Sequence, residues 1–234
     1  KRIYKATLGG DFKQVHNLQR LLLRSYSARA LAVRRVTQDN RGKRTAGVDG
    51  IAKVPPPHRL RMIDLLRYLR QPASPIRRVY IPKRNSPEMR PLGIPTMLDR
   101  SLQALVKLAL EPEWEAQFEP NSYGFRPGRC CHDAIEAIYN YIRLKPKFVL
   151  DADIEKCFDR IDHQALLAKL STLPVIADLV RGWLKAGIFE KGRIFPSEAG
   201  TPQGGVISPL LANIALHGME TALVDSLPKS RKPA

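Results

Sequence analysis

The sequence predicts an α+β fold, and three observations carry that reading. Apolar residues recur at three- and four-residue intervals over long basic stretches. An apolar run at 76–82 is followed by a polar turn and a short return run. The triplet Phe148-Val149-Leu150 then runs straight into the carboxylates Asp151 and Asp153. With 234 residues, 44% of them hydrophobic, the chain can build the core of one large or two small domains. Nineteen prolines and 15 glycines argue against a plain helical bundle. No run approaches 18 consecutive apolar residues, so no membrane span is expected. The opening Lys1-Arg2-Ile3-Tyr4 has neither a signal core nor an initiator Met. It is expected to be internal to a longer polypeptide of cytoplasmic or organellar location.

Taken in order, residues 13–37 form a helix, with Val15, Leu18, Leu22 and Tyr26 on its apolar stripe and Ala30, Val33 and Val36 continuing it. Residues 38–50 are a polar loop rich in turn formers, and the prolines at 55–57 lead into a second helix over 58–70. Residues 76–82 and 92–94 pair as a hairpin across the turn 83–90. A helix follows over 99–118, with Leu102, Leu105, Val106, Ala109 and Leu110 inward. Beyond a loop at 121–129 comes a helix at 131–142, then a buried strand from Phe148 into Asp151, Asp153 and Ile154. That strand is expected to pack on the helices 99–118 and 131–142. Helices at 163–170 and 175–187, a polar hairpin at 191–193, a glycine-rich turn at 200–205 and a helix at 208–222 complete the chain.

The formal charge of +17 is one-sided. Residues 1–100 hold 23 Lys/Arg against 6 Asp/Glu, whereas residues 101–234 hold 16 of each. Such a field attracts polyanions, nucleic acid ahead of an anionic membrane surface, because no basic amphipathic anchor is evident. Arg20, Arg24, Arg34 and Arg35 on the first helix, with Arg41, Lys43 and Arg44 in the loop, are the candidate RNA contacts. Cys130, Cys131 and Cys157 match neither a zinc spacing nor a disulfide framework and read as reduced thiols.

Three constellations carry chemistry. In 149–163, period two sets Asp151 and Asp153 on one face of a strand, and a carboxylate at the end of a buried strand calls for a hydrogen bond or a cation. Mg2+ binding by Asp153 and capping of the following helix both remain open on spacing alone. Asp159 and Asp162 read as solvent-facing or capping, and His163 lacks partners for zinc. In 199–210, adjacent Gly204 and Gly205 let a backbone pass close to a base or sugar, with Gln203 able to donate and accept. A tight turn before a helix, Ser208 its cap and Pro209 its first residue, explains the same residues locally. In 80–95, Lys83 and Arg90 flank a turn and suit a triphosphate clamp, or are plain exposed hairpin charges.

In this order the segments resemble the blocks of the reverse transcriptases encoded by group II introns. Residues 83–95 are similar to the first fingers block, and Ser122-Tyr123-Gly124-Phe125-Arg126-Pro127-Gly128-Arg129 with Cys131-His132-Asp133-Ala134 to the next. Residues 151–158 resemble polymerase motif A, 201–209 the block before the catalytic loop, and 42–50 the extra block ahead of the fingers. The resemblance implies a right-hand polymerase's fingers and an incomplete palm of RRM/ferredoxin-like type, behind a helical N-terminal extension. It divides the chain into an extension and basic fingers at 1–95, a first palm segment at 96–162, a fingers insertion at 163–199 and the start of a second palm segment at 200–234.

Residue by residue, the resemblance implies that Asp153 is the first metal aspartate, since Phe158 stands five positions after it, and that the Ile154 carbonyl touches the metal. It makes Phe158 the ring under the incoming sugar, Lys83 and Arg90 the triphosphate cations, and Gln203 with Gly204 the lining of the nucleotide pocket. Arg126 and Arg129 support the fold or the template path and stand among the candidate RNA-binding residues. Two Mg2+ ions, group II intron RNA, an RNA template with DNA primer, and deoxynucleoside triphosphates are the implied cofactors and partners. Family members carry a Tyr-Ala-Asp-Asp turn after the 208–222 helix, which is not found here. The expected function is therefore RNA-directed DNA polymerisation by a longer parent that also assists intron splicing and mobility, the segment alone being inactive. The alternatives are a maturase-like RNA-binding module without polymerase activity, or a retron or diversity-generating reverse transcriptase.

Overall fold

The computed structural model describes residues 1–83 and 87–226, apart from the side chain of Arg41. Ten α-helices and four short strands are described, in the α+β arrangement the sequence indicates. The N-terminal third is helical: α1 (Arg2–Leu8), α2 (Phe12–Arg24), α3 (Tyr26–Arg34) and α4 (Pro56–Leu65). The single helix expected over 13–37 is divided at Ser25, whose extended backbone ends α2 while its hydroxyl accepts from Ala28 N to cap α3. A π-type turn, Arg35–Asp39, and a 3-10 turn, Arg41–Arg44, follow. Helix α4 starts earlier and ends earlier than expected, with proline in its first turn, where a missing N–H costs nothing.

Strands β1 (Ile76–Pro82) and β2 (Met89–Ile94) form the expected antiparallel hairpin, Ile81 opposite Arg90 and Arg78 opposite Gly93. Residues 84–86 of its turn lie outside the described residues. The small hairpin β3 (Ile188–Glu190) and β4 (Arg193–Phe195) adds to it through a parallel pairing of β1 with β3, giving the order β2-β1-β3-β4.

Helix α5 (Met97–Glu115) is the axle of the fold. The expected stripe of Leu102, Leu105, Val106, Ala109 and Leu110 is buried, and so are the polar Asp99, Arg100, Gln103 and Glu113 on its other sides. Each of these is hydrogen-bonded, as burial requires. The Arg100 guanidinium donates to the carbonyls of Pro95, Gly42 and Thr45, so the polar 42–50 loop is fastened to α5. Helices α7 (His163–Leu170), α8 (Pro174–Lys185) and α9 (Ser208–Leu216) complete the same core. The helix expected over 208–222 breaks at His217-Gly218, and α10 (Met219–Ser226) follows. Ser208 lies inside α9, with Ile207 as its cap residue, one position earlier than expected.

Residues 148–154 overturn a sequence expectation. They form no strand, and Phe148, Val149 and Leu150 are exposed. The physical reason is the backbone: an extended segment needs a neighbour for its N–H and C=O groups, and the described sheet contains β1 to β4 only. Helix α6 (Cys131–Ile142) has the expected bounds but buries none of its residues, so the packing of that strand on α5 and α6 is absent as well. Neither Asp151 nor Asp153 caps a helix; the next element is a 3-10 turn, Cys157–Asp159, preceded by Lys156.

Candidate functional site

The turn at 200–206 is where distant parts of the sequence meet. Gly200 N donates to Ile161 O at 2.8 Å and Thr201 N to Phe158 O at 2.7 Å, which binds the start of the turn to the segment after Asp153. Gly93 N, on β2, donates to Gln203 O at 2.7 Å, which binds its middle to the hairpin. His163 Nε2 lies 2.7 Å from Gly200 O; a carbonyl only accepts, so that nitrogen carries the proton. At the far end Val206 N donates to Gln103 Oε1 at 2.9 Å. Glycine is required at two points. Gly200 has φ of +82° and Gly204 +121°, and a Cβ on Gly204 would stand 2.7 Å from Gly93 O.

Beside this turn lies a pocket of about 250 Å3, lined by Arg78, Gly93, Asp159, Thr201 and Gln203 among others. Thr201, only 3% exposed, has a hydroxyl with no hydrogen-bond partner among the described residues, and neither has Arg78 Nε. Both residues line a pocket that a polar ligand could fill. Phe158 is half-buried against the core, its ring edge-on to Phe125 with centroids 6.1 Å apart.

Asp153 and Ile154 line a different cleft, about 640 Å3, with Cys157, Lys169, Ala215 and Leu216. Asp153 is exposed, with no ion pair or hydrogen bond among the described residues. Burial first, and the nearby Asp153 charge second, raise the Cys157 thiol above its ordinary value. The structure thus sets Gln203 and Gly204 in one turn, ties the Phe158 carbonyl to its start and places Asp153 in another cleft. Lys83 is ion-paired with Glu88, whose carboxyl that bond and charge hold below the usual range, whereas Arg90 is exposed on β2.

The expected RNA-contacting cations divide into two groups. Arg20, Arg24, Arg34, Arg35 and Arg44 are exposed; Arg34 lies 3.6 Å from Asp39, and Arg20 donates to Asn17. Lys43 donates to Gln38 O and shares an open pocket with Arg44, Lys53 and Arg59. The Arg41 side chain lies outside the described residues. Of the two roles expected of Arg126, support of the fold and the template path, the structure favours the first over an RNA contact. Arg126 is 6% exposed, bidentate to Glu115, donating to Glu119 O and Ser122 O, and stacked over Phe118. Arg129 donates to Pro120 O and Ser122 O beneath the Tyr123 ring. Both fasten the 118–129 loop, Arg126 with all its guanidinium nitrogens and Arg129 through Nη1. Sequence reading missed Arg78, Gln103 and the role of His163; only the local pattern Asp162-His163, cap then helix, gave any signal, while Asp159 is exposed as expected.

Mg2+ is implied by the resemblance, and its usual ligands are carboxylates with phosphate oxygens. Asp153, exposed and unpaired, fits as one such ligand. Among the described residues no three His, Cys, Asp or Glu side chains converge on one point, so this segment offers part of a metal site. Among the described residues no helix is long and apolar enough to cross a membrane.

Residues 81–227 match the family described as reverse transcriptase (RNA-dependent DNA polymerase), and residues 1–66 match the N-terminal domain of reverse transcriptase. The group II intron-encoded protein LtrA of Lactococcus lactis subsp. cremoris is 45% identical over 151 residues, covering 63% of this chain and 25% of that protein. Protein YkfC of Escherichia coli (strain K12) is 38% identical over 204 residues, 81% of this chain and 52% of the other. Maturase-like protein 1 of Euglena gracilis is 30% identical over 231 residues, 94% and 48%. The chain therefore spans about a quarter to a half of the length of these relatives. Among solved structures, a chain of a partial Cas6-RT-Cas1–Cas2 complex superposes with a TM-score of 0.52 at 23% identity, over 89% of this chain and 35% of that one. That likeness is one of fold alone.

Proposed function

The chain belongs to the reverse transcriptase (RNA-dependent DNA polymerase) family and is related to group II intron-encoded maturase and reverse transcriptase proteins, and from that premise we propose that it supplies the fingers and first palm segments of a longer RNA-directed DNA polymerase that also grips its intron RNA. In this reading residues 1–95 are the extension and basic fingers, 96–162 the first palm segment, 163–199 a fingers insertion and 200–234 the start of the second palm segment. The observation that supports it is the triple junction at the 200–206 turn. Fingers strand β2, the segment carrying Phe158 and the Gln203 turn are three separate stretches of sequence, joined there by 2.7 Å backbone hydrogen bonds.

Each residue then has a physical task. Gln203 and Gly204 line the nucleotide. Phe158 presents a ring that leaves no room for a ribose 2′-hydroxyl. Arg90 and Lys83 meet the triphosphate, for which Lys83 exchanges the Glu88 carboxylate for phosphate oxygens. Mg2+ would supply the charge that activates a primer 3′-hydroxyl and steadies the leaving pyrophosphate, and Asp153 with the Ile154 carbonyl are the groups of this chain that would hold it. The exposed arginines of α2 and α3 would take the phosphates of intron RNA.

The test is primer extension on an RNA template by the full-length protein. Wild type extends with deoxynucleoside triphosphates, Asp153→Asn does not, and both bind RNA alike, because the carboxylate acts on the metal. Extension surviving in Asp153→Asn would put the metal on Asp151. The 234-residue chain alone is expected not to extend, because among its described residues no three candidate metal ligands converge. A second reading, an RNA-binding maturase-like module, is favoured by the exposed cations of α2 and α3. It prevails if the full-length protein binds intron RNA tightly and never extends. Extension without preference for intron RNA would indicate a retron or diversity-generating type of reverse transcriptase.

A further inference from the structure

We infer that His163 and Gln103 are positioning residues that hold the Gln203 turn from its two ends. The inference rests on the reading of Gln203 as a nucleotide-pocket residue and adds what sets its place. The turn has no regular secondary structure of its own between β4 and α9. Its backbone is held by Ile161, Phe158 and Gly93 through main-chain bonds, and among the described residues only two side chains hydrogen-bond to the backbone of 200–206.

Those two come from separate helices. His163 is the first residue of α7, 6% exposed, fixed there by the Asp162 cap to Ala165 N, and its Nε2–H meets Gly200 O at 2.7 Å. Gln103 sits in the middle of α5, 2% exposed, and its Oε1 takes Val206 N at 2.9 Å. Both helices belong to the main core, so each end of the turn is referred to a rigid body. Gln203 lies between the two posts, with Gly93 beneath it. Loss of either post leaves a backbone group without its partner in a largely buried setting, which the turn can relieve only by shifting. Any shift moves Gln203 relative to β2 and Phe158.

The experiment uses the full-length protein and four variants. Gln103→Met removes the acceptor while keeping the volume, and Gln103→Glu restores an oxygen in the same place. His163→Leu removes the donor, and His163→Gln places an amide N–H where Nε2 stood. Gln103→Met and His163→Leu are expected to raise KM for deoxynucleoside triphosphate about tenfold, the scale of one lost hydrogen bond, with kcat and RNA affinity changing much less. Gln103→Glu and His163→Gln should recover most of that loss. On a Gln203→Ala background the same two losses should raise KM no further, because they act through Gln203.

Amide exchange at 200–206, read in the same protein, is expected to quicken in Gln103→Met and His163→Leu and to stay slow in the conservative variants. Exchange unchanged by both losses would overturn the inference, whatever the activity. So would a KM rise that persists in full on the Gln203→Ala background. If wild type extends no primer, the polymerase reading fails, and the exchange measurement still decides whether the posts hold the turn.

Discussion

Arg126 stands within a hydrogen-bonded cage: three bonds to the two oxygens of Glu115, two to backbone carbonyls, and the Phe118 ring over its face. Removing one partner of a buried pair leaves the other charge uncompensated, so Arg126→Ala should destabilise the fold by about 3–5 kcal/mol in denaturant unfolding. Arg126→Lys should recover little, since an ammonium cannot reproduce the planar fork. An unchanged unfolding midpoint would return Arg126 to the solvent-facing cations. Phe158 is the opposite case, half-buried and edge-on to Phe125. Phe158→Ala should let the full-length enzyme incorporate ribonucleotides while deoxynucleotide use falls less; unchanged discrimination in single-turnover incorporation would make it a packing residue. What was legible at this scale follows from reach. Gln203, Gly204 and Phe158 sit in local sequence patterns, and the Phe158 carbonyl is bonded to the start of the turn that carries the other two. Gln103 and His163 act by bonds to backbone 103 and 37 residues away, and such pairings have no local signature. The charge of Arg126 was visible in the sequence, but its acceptors, Glu115 and two carbonyls, were not.

Among elements, α5 shows why periodicity finds a helix more easily than its surroundings. Its stripe from Leu102 to Leu110 marks one apolar face, yet Arg100, Gln103 and Glu113 on other faces are buried too, each hydrogen-bonded to a distant segment. Strand β1 and helices α6 and α7 were legible to the residue, because proline, glycine and capping residues bound them sharply, whereas β2 begins three residues before the expected return strand. The 148–154 segment was not, since apolar composition indicates a wish for burial and says nothing of which strand must lie alongside. The α2–α5 contact offers a pH test. Burial raises the Glu113 carboxyl, with the 2.6 Å bond from Gln19 Nε2 opposing. The folded state therefore holds this proton to higher pH than the unfolded chain. Its stabilising contribution is full below the ordinary carboxylate range and is lost as pH rises through the raised value. Gln19 Oε1 has no hydrogen-bond partner in this site, and a protonated Glu113 could donate to it. Glu113→Gln supplies that donor permanently. It should raise the melting temperature at neutral pH and flatten part of the decline above the carboxylate range, the part due to buried Asp99 remaining. A lower melting temperature at pH 7 would show that the ionised carboxylate is the preferred form.

At the scale of the whole molecule, charge and fold are distributed differently. The first 100 residues carry the entire +17, yet that half is not uniformly available: Arg29 and Arg100 are buried on backbone carbonyls, and Lys83 is paired. What remains includes exposed arginines on α2, α3 and α4, with Lys43, Arg44, Lys53 and Arg59 around an open pocket. A surface of this kind should bind structured RNA through phosphates, releasing counterions, so affinity should fall steeply with salt. Each phosphate contributes roughly 0.7–0.9 to the slope of log affinity against log salt. With about five phosphates engaged, raising salt from about 50 to about 200 mM should weaken binding on the order of a hundredfold or more. Arg34→Ala with Arg35→Ala, or Lys43→Ala with Arg44→Ala, should lower both the affinity and the slope. Removing as many exposed cations from residues 101–234, where charges balance, should do less. Arg129 and Arg126 are unsuitable for that control, because their loss would unfasten the 118–129 loop instead of testing charge. The measurement is RNA binding across a salt series for each variant. A flat salt response, or equal losses from the two halves, would mean that the N-terminal charge only keeps the surface solvated and that RNA is held elsewhere.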